Sequence, residues 1–296
     1  MTLEGKRLLI VSNRLPVHLD KLNSSWVVRP GSGGLVTAMV PLMKQHRGTW
    51  IGWPGSDETA PAEQLLNDYS CSHDFDVVPV MLREEDVALF YRGFANQSIW
   101  PLFHDLLGHG SFDLEQWLRY VEVNRKFAEV TARHIEPESF VWIHDYQLML
   151  VAKFLRQFGV TLPLSFFLHI PFPAVDLFRR LPWRAEVMEA LLEFDHLGFQ
   201  TAHDRRNFIQ CVKWFAPGAQ IQARRRESFL RYEGRTIRLG FYPIGIDFNE
   251  FAEQARSREV EEATWFLHEN LRSRVLILGV DRLDYTKGIP LRFLAF

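Results

Sequence analysis

The chain has 296 residues, of which 47% are hydrophobic, and this is enough to bury a large core in one large or two smaller domains. Its 34 basic and 36 acidic residues give a net charge of −2, without the basic stripe that would attract a nucleic acid or an anionic membrane surface. These totals argue against intrinsic disorder and favour a small-molecule partner.

The cysteines and the N-terminal residues allow a prediction of the cellular compartment. Cys71 and Cys211 are far apart in sequence and have neither metal-ligand nor redox spacing, which is typical of reduced thiols. The N-terminal segment MTLEGKRLLIVSNR has an apolar run that is too short for a signal peptide, and no stretch approaches a membrane span. We therefore expect a soluble, cytoplasmic protein.

Short β-rich runs alternate with amphipathic stretches, which predicts an α/β fold with a mostly parallel sheet and helices on both faces. In chain order the runs are RLLIVSN, TWIGW, DVVPVML, FVWIH, LSFFLHI, DHLGFQ, IRLGFYPIGI and RVLILGV. Between the third and fourth runs, residues from Trp117 to Thr131 recur at helical spacing, which predicts a helix over 115–134. The charged stretch NEFAEQARSREVEEATWFLHENLRSR is predicted to be a connecting helix.

Polar residues follow most of these predicted strands. Ligands of open α/β sheets collect beyond the carboxyl ends of the parallel strands, so these residues are expected to share one cleft. They are Asn13, Arg14, His144, Asp145, His169, Gln200, Thr201, Gly245, Asp247, Asp281 and Arg282. The alternative for Asp145 is a capping role, in which its carboxylate accepts from backbone N–H groups of the next helix.

A glycine-rich segment, RPGSGGLVTAMVPLM, opens a predicted helix. Gly31, Gly33 and Gly34 would let a phosphate approach the backbone N–H groups at the helix N-terminus. The pattern is neither GxGxxG nor a P-loop, which argues against a nicotinamide oxidoreductase, and a plain flexible turn explains it equally well.

The segment YRGFANQSIWPLFHD mixes aromatic rings with amide and imidazole groups. Tyr91, Asn96, Trp100 and His104 would suit a sugar, whose ring presents apolar C–H patches edged by hydroxyl groups. The alternative is an aromatic loop buried as a small additional core.

Two cations lie in DRLDYTKG, five residues apart across a predicted strand-to-helix turn. Arg282 and Lys287 could stabilise the charge of a departing diphosphate. Salt bridges with Asp281 and Asp284 are the competing interpretation.

Asp74 and Asp76 form a D-x-D pair, which in some sugar transferases holds a divalent metal. Here the pair precedes a predicted strand and has no third carboxylate nearby in the sequence. We interpret both as surface turn residues and predict no metal.

The segments LLIVSNRLPV, GSGGLVTAM, WIGWPG, YRGFANQSIWPLFH, VWIHDYQLML, FFLHIPFP, DHLGFQT, YPIGID and VDRLDYTKGIPLRFLAF resemble, in order, the successive blocks of trehalose-6-phosphate synthases. These are retaining glycosyltransferases of the GT-B fold, in family 20. The resemblance runs from about residue 7 to the last residue.

The resemblance implies transfer of glucose from UDP-glucose to glucose 6-phosphate with retained configuration, and with neither metal nor cofactor. It implies a Rossmann-like, acceptor-binding domain over residues 1–250. Residues 251–296 would then be a connecting helix and the first strand of an incomplete nucleotide-sugar-binding domain. We therefore expect a truncated chain.

The resemblance also assigns roles to individual residues. Arg14 would bind the acceptor's phosphate, Tyr91 and Trp100 would shape the acceptor pocket, Trp53 would lie near the same cleft, and Asp145 would bind acceptor hydroxyls. Gly33 and Gly34 would line the donor's phosphates, His169 would contact the donor sugar, and Arg282 and Lys287 would bind the diphosphate. Catalytic roles thus fall on Asp145, His169, Arg282 and Lys287.

Two other functions stay open at this point. One is an inactive relative that binds a sugar phosphate without turnover, and the other is a sister transferase that uses another phosphorylated acceptor. The oligomeric state is open as well, a homo-oligomer included.

Overall fold

A computed structural model describes residues 5–23, 25–56, 59–225, 227–271 and 274–296. The chain divides into two compact units, one that runs to Ile244 and one from Gly245 to Phe296. This division lies slightly before the predicted domain boundary after residue 250. Within the described ranges, no helix combines the length and the apolar character that crossing a bilayer requires.

The first unit contains all the strands that the structure describes. They are β1 (Arg7–Arg14), β2 (Val17–Leu22), β3 (Ser25–Pro30), β4 (Thr49–Trp53), β5 (Asp76–Pro79), β6 (Ser139–His144), β7 (Leu164–Leu168), β8 (His196–Phe199), β9 (Gln220–Ala223), β10 (Glu227–Tyr232) and β11 (Arg235–Phe241).

The helices connect these strands. In the first unit they are α1 (Gly34–His46), α2 (Ala62–Cys71), α3 (Glu84–Asp86), a π-helical segment Val87–Ile99, α4 (Trp100–Phe103), α5 (Leu114–His134), α6 (Val151–Gln157), α7 (Val175–Phe178), α8 (Arg184–Leu191) and α9 (Ala202–Phe215). The second unit has α10 (Phe248–Gln254), α11 (Arg258–Asn270) and α12 (Ile289–Ala295). Short 3₁₀ turns cover Leu107–His109, Tyr146–Leu148 and Tyr285–Lys287.

Nine strands form one sheet in the order β5-β4-β1-β6-β7-β8-β11-β10-β9, and β2 and β3 form a separate hairpin. All pairs from β5 to β11 are parallel, whereas β10 and β9 continue the edge as an antiparallel ribbon. The predicted α/β fold with a mostly parallel sheet is confirmed.

The order of the strands defines where a ligand cleft should open. From β1 the chain proceeds outward to β4 and β5, and after β6 it proceeds in the opposite direction to β7, β8 and β11. The direction therefore reverses between β1 and β6, which pair with each other. In open parallel sheets such a reversal leaves a crevice beyond the carboxyl ends of the two strands, because their connecting helices depart to opposite sides.

The sheet is buried on both faces around this point. In β1, Leu9 and Val11 enter the larger hydrophobic core, whereas Leu8 and Ile10 enter a second core on the opposite face. All four side chains are at most 1% exposed. A strand covered on both sides is a rigid support for the residues at its end.

The helix predicted over 115–134 is α5, and it begins after Asp113, whose side chain accepts a hydrogen bond from the Gln116 backbone N–H. The predicted connecting helix is instead two helices, α10 and α11, because Ser257 caps the second one. The run RVLILGV is not a strand in the structure, since residues 274–280 adopt neither helix nor strand. A strand requires a paired neighbour, and none of the strands in the described ranges pairs with this run.

Candidate active site

The first predicted site residue, Arg14, ends β1 at the strand-order reversal. The pairing of β1 with β4 shifts register between Val11 and Arg14, so the backbone of β1 comes close to β4 at this point. A side chain on Gly52 of β4 would not fit, because a Cβ there would lie 2.8 Å from the Arg14 carbonyl carbon. Glycine at position 52 thus allows the irregularity that places Arg14.

The guanidinium of Arg14 is held between aromatic rings. Its Cζ lies 4.0 Å from the ring centroid of Trp53, the last residue of β4, and 5.7 Å from that of Tyr91. The two rings meet edge to face with centroids 6.4 Å apart. The Trp53 indole is fixed in turn, because its Nε1 donates to the Ser56 carbonyl at 2.7 Å. Such stacking orients a planar cation without neutralising its charge.

Gly55 completes this arrangement from the turn after β4. It has a φ of 83°, and a Cβ at this position would lie 2.5 Å from the Arg14 Nη1. Partial burial lowers the pKa of Arg14 from its usual value, and the Tyr91 hydroxyl opposes that change. An arginine remains charged at neutral pH in such surroundings, so the site presents a cation.

Asp145 follows β6, on the other side of the strand-order reversal. It is a non-glycine residue with a φ of 75°, which is a strained backbone conformation. Its N–H donates to the Phe167 carbonyl at 2.8 Å, and its Oδ1 accepts from the His169 N–H at 3.1 Å. These bonds join the ends of β6 and β7. The Asp145 carboxylate therefore caps the end of β7, and a hydrogen bond from the Tyr146 backbone N–H also ties it to the 3₁₀ turn that follows.

The carboxyl group of Asp145 is a weaker acid than usual. Burial raises its pKa to about 7, although hydrogen bonds from the backbone N–H groups of Tyr146 and His169 act in the opposite direction. The group can therefore be ionised or protonated close to neutral pH. A perturbed carboxyl in a cleft is a common sign of a functional site.

The predicted aromatic segment packs on the main core and leaves part of each ring exposed. Tyr91 and Trp100 are half-buried beside that core, so the buried-loop alternative holds for one side of each ring. The Trp100 ring lies 5.5 Å from the Tyr146 ring, and the Tyr146 hydroxyl donates to Asn96 Oδ1 at 2.8 Å. His104 stacks on Trp100 at 4.1 Å. The segment thus borders the residue that directly follows Asp145.

Helix α5 holds the loop that follows Asp145. The Tyr120 hydroxyl donates to the Tyr146 carbonyl at 2.7 Å, and Asn124 Nδ2 donates to the Gln147 carbonyl at 3.0 Å. Asn124 Oδ1 accepts in turn from the Leu150 N–H at 3.1 Å. Tyr120 and Asn124 are fully buried, and these bonds fix the strained loop from inside the core.

The two predicted glycines lie at the start of α1. Gly33 precedes the helix and Gly34 is its first residue, and both are exposed. No part of the described chain lies within 4 Å of where a Cβ on either would sit. The N-terminus of α1 is therefore open to an approaching group.

Arg282 and Lys287 lie in the second unit, before and within the turn that leads to α12. Their expected ion-pair partners are engaged elsewhere: Asp281 pairs with Arg292, and Asp284 accepts from both the N–H and the hydroxyl of Thr286. Among the described residues, neither cation forms an ion pair within 4.0 Å. In the described ranges no ion pair within 4.0 Å thus supports the competing salt-bridge interpretation, although both cations act electrostatically on the Asp284 carboxyl.

The D-x-D pair lies apart from these residues. Asp76 begins β5 and forms an ion pair with Arg7 at 2.8 Å, and Asp74 is exposed in the preceding turn. Within the part of the chain that the structure describes, no group of three or more His, Cys, Asp or Glu side chains is arranged to hold a metal ion.

The structure thus brings several predicted residues together around one crevice. Direct contacts link Arg14, Trp53 and Tyr91 on one side, and Asp145 and His169 on the other. The turn Tyr146–Leu148 contacts both β1 and the π-helical segment and joins the two sides. Sequence reasoning missed Gly55 and Tyr146 as parts of the site. The only sequence signals for them are the PG after TWIGW and the tyrosine after HD.

Comparison with known proteins agrees with this geometry. The glycosyltransferase family 20 model matches residues 6–296. Two proteins named trehalose-6-phosphate synthase are similar to the chain. The one from Mycobacterium sp. (strain JLS) is 41% identical, and the match covers 97% of this chain and 60% of the relative. The one from Mycolicibacterium smegmatis is 43% identical, and the match covers 97% of this chain and 57% of the relative. The chain spans about three fifths of the length of these relatives.

Solved structures give the same result. A trehalose-phosphate synthase from Burkholderia xenovorans in complex with glucose-6-phosphate has a TM-score of 0.80 and 33% identity, over 98% of this chain and 61% of that one. An E. coli protein bound with UDP-2-fluoro glucose has a TM-score of 0.79 and 32% identity, over 98% and 60%. The fold is therefore of the predicted GT-B type. Because the family model matches nearly the whole sequence, the chain belongs to glycosyltransferase family 20.

Proposed function

We propose that the chain carries the acceptor-binding part of a retaining glucosyltransferase that transfers glucose from UDP-glucose to glucose 6-phosphate and forms trehalose 6-phosphate. The names of its relatives support this activity, and so do the two ligands in the structures of similar proteins. The proposal concerns the whole enzyme, of which this chain spans about three fifths of the relatives' length.

One observation carries the proposal: the aromatic-stacked Arg14 and the strained Asp145 lie at the ends of the paired strands β1 and β6, where the strand order reverses. A guanidinium can bind two oxygens of a phosphate, and a carboxylate can accept from sugar hydroxyls. The exposed parts of the Tyr91 and Trp100 rings can pack against the C–H faces of a hexose. Together these groups match a phosphorylated sugar.

On the donor side we assign His169 to the sugar, and Gly33 and Gly34 to the phosphates at the N-terminus of α1. Arg282 and Lys287 would stabilise the diphosphate as it leaves. Asp145 would position the acceptor, since retention through attack on the face that the diphosphate leaves needs no carboxylate nucleophile. The two cations supply the positive charge for which other transferases use a metal, so we propose a metal-independent reaction.

Calorimetry tests the acceptor site. We expect glucose 6-phosphate to bind the chain, unphosphorylated glucose to bind at least tenfold more weakly, and Arg14→Ala to remove that difference. Arg92→Ala is the matched control, because Arg92 lies beside Tyr91 but pairs with Glu84 on the surface. Equal affinity for the two sugars would contradict the proposal, as would an undiminished affinity in Arg14→Ala.

A UDP-release assay of the whole enzyme, with a panel of phosphorylated acceptors, separates the alternatives. Release with glucose 6-phosphate supports the synthase. Release only with a different phosphorylated acceptor would identify a sister transferase, and acceptor binding without release would identify a sugar-phosphate-binding relative. We also propose a cytoplasmic location, because Cys71 and Cys211 are both free thiols.

A further inference from the structure

A second histidine, His144, contacts the ring of His169 and has no role in the site described so far. His144 is the last residue of β6 and is 1% exposed. Its Nδ1 lies 3.1 Å from Nε2 of His169, and the two ring centroids are 5.3 Å apart. This is a hydrogen bond between two imidazoles, and only one of the two nitrogens can be the donor.

Burial favours the neutral form of both imidazoles. They line a mostly apolar cavity of about 370 Å³, where His144 lies against Trp142 and His169 against Phe167, each with centroids 4.7 Å apart. Burial lowers the pKa of His169 to about 4 and that of His144 well below its usual range, and the mutual repulsion of the rings lowers the latter further. Each ring therefore carries one proton, whose position remains to be assigned.

The surroundings of Nε2, the other ring nitrogen of His144, decide whether the proton of this ring is on Nδ1 or on Nε2. Within the described residues, His144 Nε2 is buried and has no hydrogen-bond partner. If it carried the proton, a buried N–H would have no acceptor, which costs more than a buried nitrogen lone pair without a donor. The proton of His144 is therefore on Nδ1, from which it is donated to His169 Nε2.

This assignment fixes the state of His169 as well. Because its Nε2 accepts, its own proton must be on Nδ1. The ring is only partly buried, and Nδ1 makes no hydrogen bond to another described residue. The backbone of His169 is held independently, since its N–H donates to Asp145 Oδ1. His169 thus presents an oriented N–H group at the carboxyl end of β7.

We propose that His144 is a positioning residue that fixes His169 as a hydrogen-bond donor, through Nδ1, to an oxygen atom of the bound donor. The nature of that ligand rests on the proposed function, whereas the tautomer of the two histidines does not. Without His144, the His169 ring could carry its proton on either nitrogen and rotate, so part of its population could not donate to the ligand.

The tautomers can be read directly by ¹⁵N NMR of the 296-residue chain with labelled histidine, without any ligand. Spectra of His144→Asn and His169→Asn would assign the two rings among the 11 histidines. We expect both rings to be protonated on Nδ1 and bare on Nε2. A proton on Nε2 of either ring, or a charged imidazole at pH 7, would overturn the proposal whatever the chain binds.

Binding then separates positioning from a general structural role. His144→Phe removes the hydrogen bond and should weaken UDP-glucose about five- to tenfold, with glucose 6-phosphate changed less than twofold. His144→Asn keeps an amide N–H close to the Nδ1 position and should restore most of the affinity for UDP-glucose. The matched control is His196→Phe, at a histidine that lines the same cavity from β8.

Equal losses for both substrates in His144→Phe would overturn the proposal, as would an Asn variant that binds no better than the Phe variant. If the NMR result holds but the whole enzyme does not bind UDP-glucose, the proposed function fails while the assignment of the tautomers stands. The two failures are therefore distinguishable.

Discussion

Asp145 shows how a single residue carries both structure and chemistry at this site. Its φ of 75° costs about 1–3 kcal/mol, which its hydrogen bonds to Phe167 and His169 offset. The same bonds hold the carboxyl group at the strand-order reversal, where burial raises its pKa to about 7. Strain and a perturbed pKa at one position point to selection for function rather than for stability.

That pKa predicts a pH-dependent affinity for the acceptor. An ionised carboxylate accepts from sugar hydroxyls better than a neutral carboxyl, so binding of glucose 6-phosphate should weaken as the pH falls below about 7. The limit is about tenfold per pH unit for one proton. The neighbouring His169 and Tyr120 stay neutral near pH 7, because burial lowers the pKa of the first and raises that of the second.

The affinity of Asp145→Asn for glucose 6-phosphate should not show this pH dependence, because an amide does not titrate. The variant should keep the backbone conformation, since asparagine tolerates positive φ. Calorimetric titrations of both proteins from about pH 5.5 to 8.5 check this, and the titration of the ligand's own phosphate cancels in the ratio of the two affinities. Identical pH profiles for the two proteins would contradict the role of Asp145.

Gly55 allows a second prediction at a single position. In Gly55→Ala the new Cβ would displace the Arg14 guanidinium, so affinity for glucose 6-phosphate should fall about tenfold or more. Gly159→Ala is the control, because Gly159 has the same φ of 83° with open space around it. Both variants should lose about 1 kcal/mol of stability from backbone strain. Calorimetry should then find that only Gly55→Ala binds the acceptor weakly.

Some of these residues could be predicted from the sequence and others could not. Arg14, Asp145 and His169 lie within three residues of the ends of short apolar runs, and a strand end in a parallel sheet is a known place for ligands. The contacts of Gly55 and Tyr146 with the site depend on tertiary packing, as does the strained backbone of Asp145. No local pattern contains that information.

At the scale of elements, α5 organises the site from beneath. Beyond its bonds to the loop after Asp145, it anchors α3, which precedes the aromatic segment, through Arg119, whose Nη1 lies 2.9 Å from Asp86 Oδ1. The Asp86 side chain is only 5% exposed. A buried carboxylate depends on its partner, because unpaired charge is costly away from water.

Arg119→Met should therefore remove the closest charged partner of Asp86, leaving only Arg83 at 3.6 Å and Lys126 at 4.0 Å, and destabilise the protein by about 1.5–3 kcal/mol. Arg92→Met removes an exposed pair with Glu84 on the same stretch of chain and should cost about 0–1 kcal/mol. Urea unfolding of the three proteins measures both values. Similar midpoints for the two variants would show that Asp86 does not need Arg119.

The helices and strands that could be predicted from the sequence are those with a strong hydrophobic pattern. Helix α5 was predicted to within one residue at its start because its apolar face repeats over five turns, and β1, β4 and β6 were predicted from buried apolar runs. The hairpin β2–β3 and the ribbon β9–β10 were missed. Most of their residues are partly or fully exposed and about half are polar, so these strands have no long buried apolar run.

For the whole molecule, the acceptor-side residues and the two cations assigned to the diphosphate belong to different units. Arg14, Tyr91 and Asp145 belong to the first unit, whereas Arg282 and Lys287 belong to the second. If Arg282 and Lys287 stabilise the leaving diphosphate, substitutions of these two residues should change kcat and not the acceptor KM. In a UDP-release assay of the whole enzyme, Arg282→Ala and Lys287→Ala should lower kcat about 100-fold or more and change the acceptor KM little.

Arg14→Ala should have the reverse effect and chiefly raise the acceptor KM. If all three variants changed kcat and KM in parallel, the division between acceptor binding and stabilisation of the leaving group would be wrong.

The central claim is that the crevice between β1 and β6 binds a phosphorylated hexose. A crystal structure of the chain with glucose 6-phosphate tests it most directly. The claim predicts that the phosphate contacts the Arg14 guanidinium, that hydroxyl groups of the sugar donate to the Asp145 carboxylate, and that the hexose ring packs beside Tyr91. A sugar phosphate bound away from this crevice, with Arg14 and Asp145 facing only solvent, would contradict it.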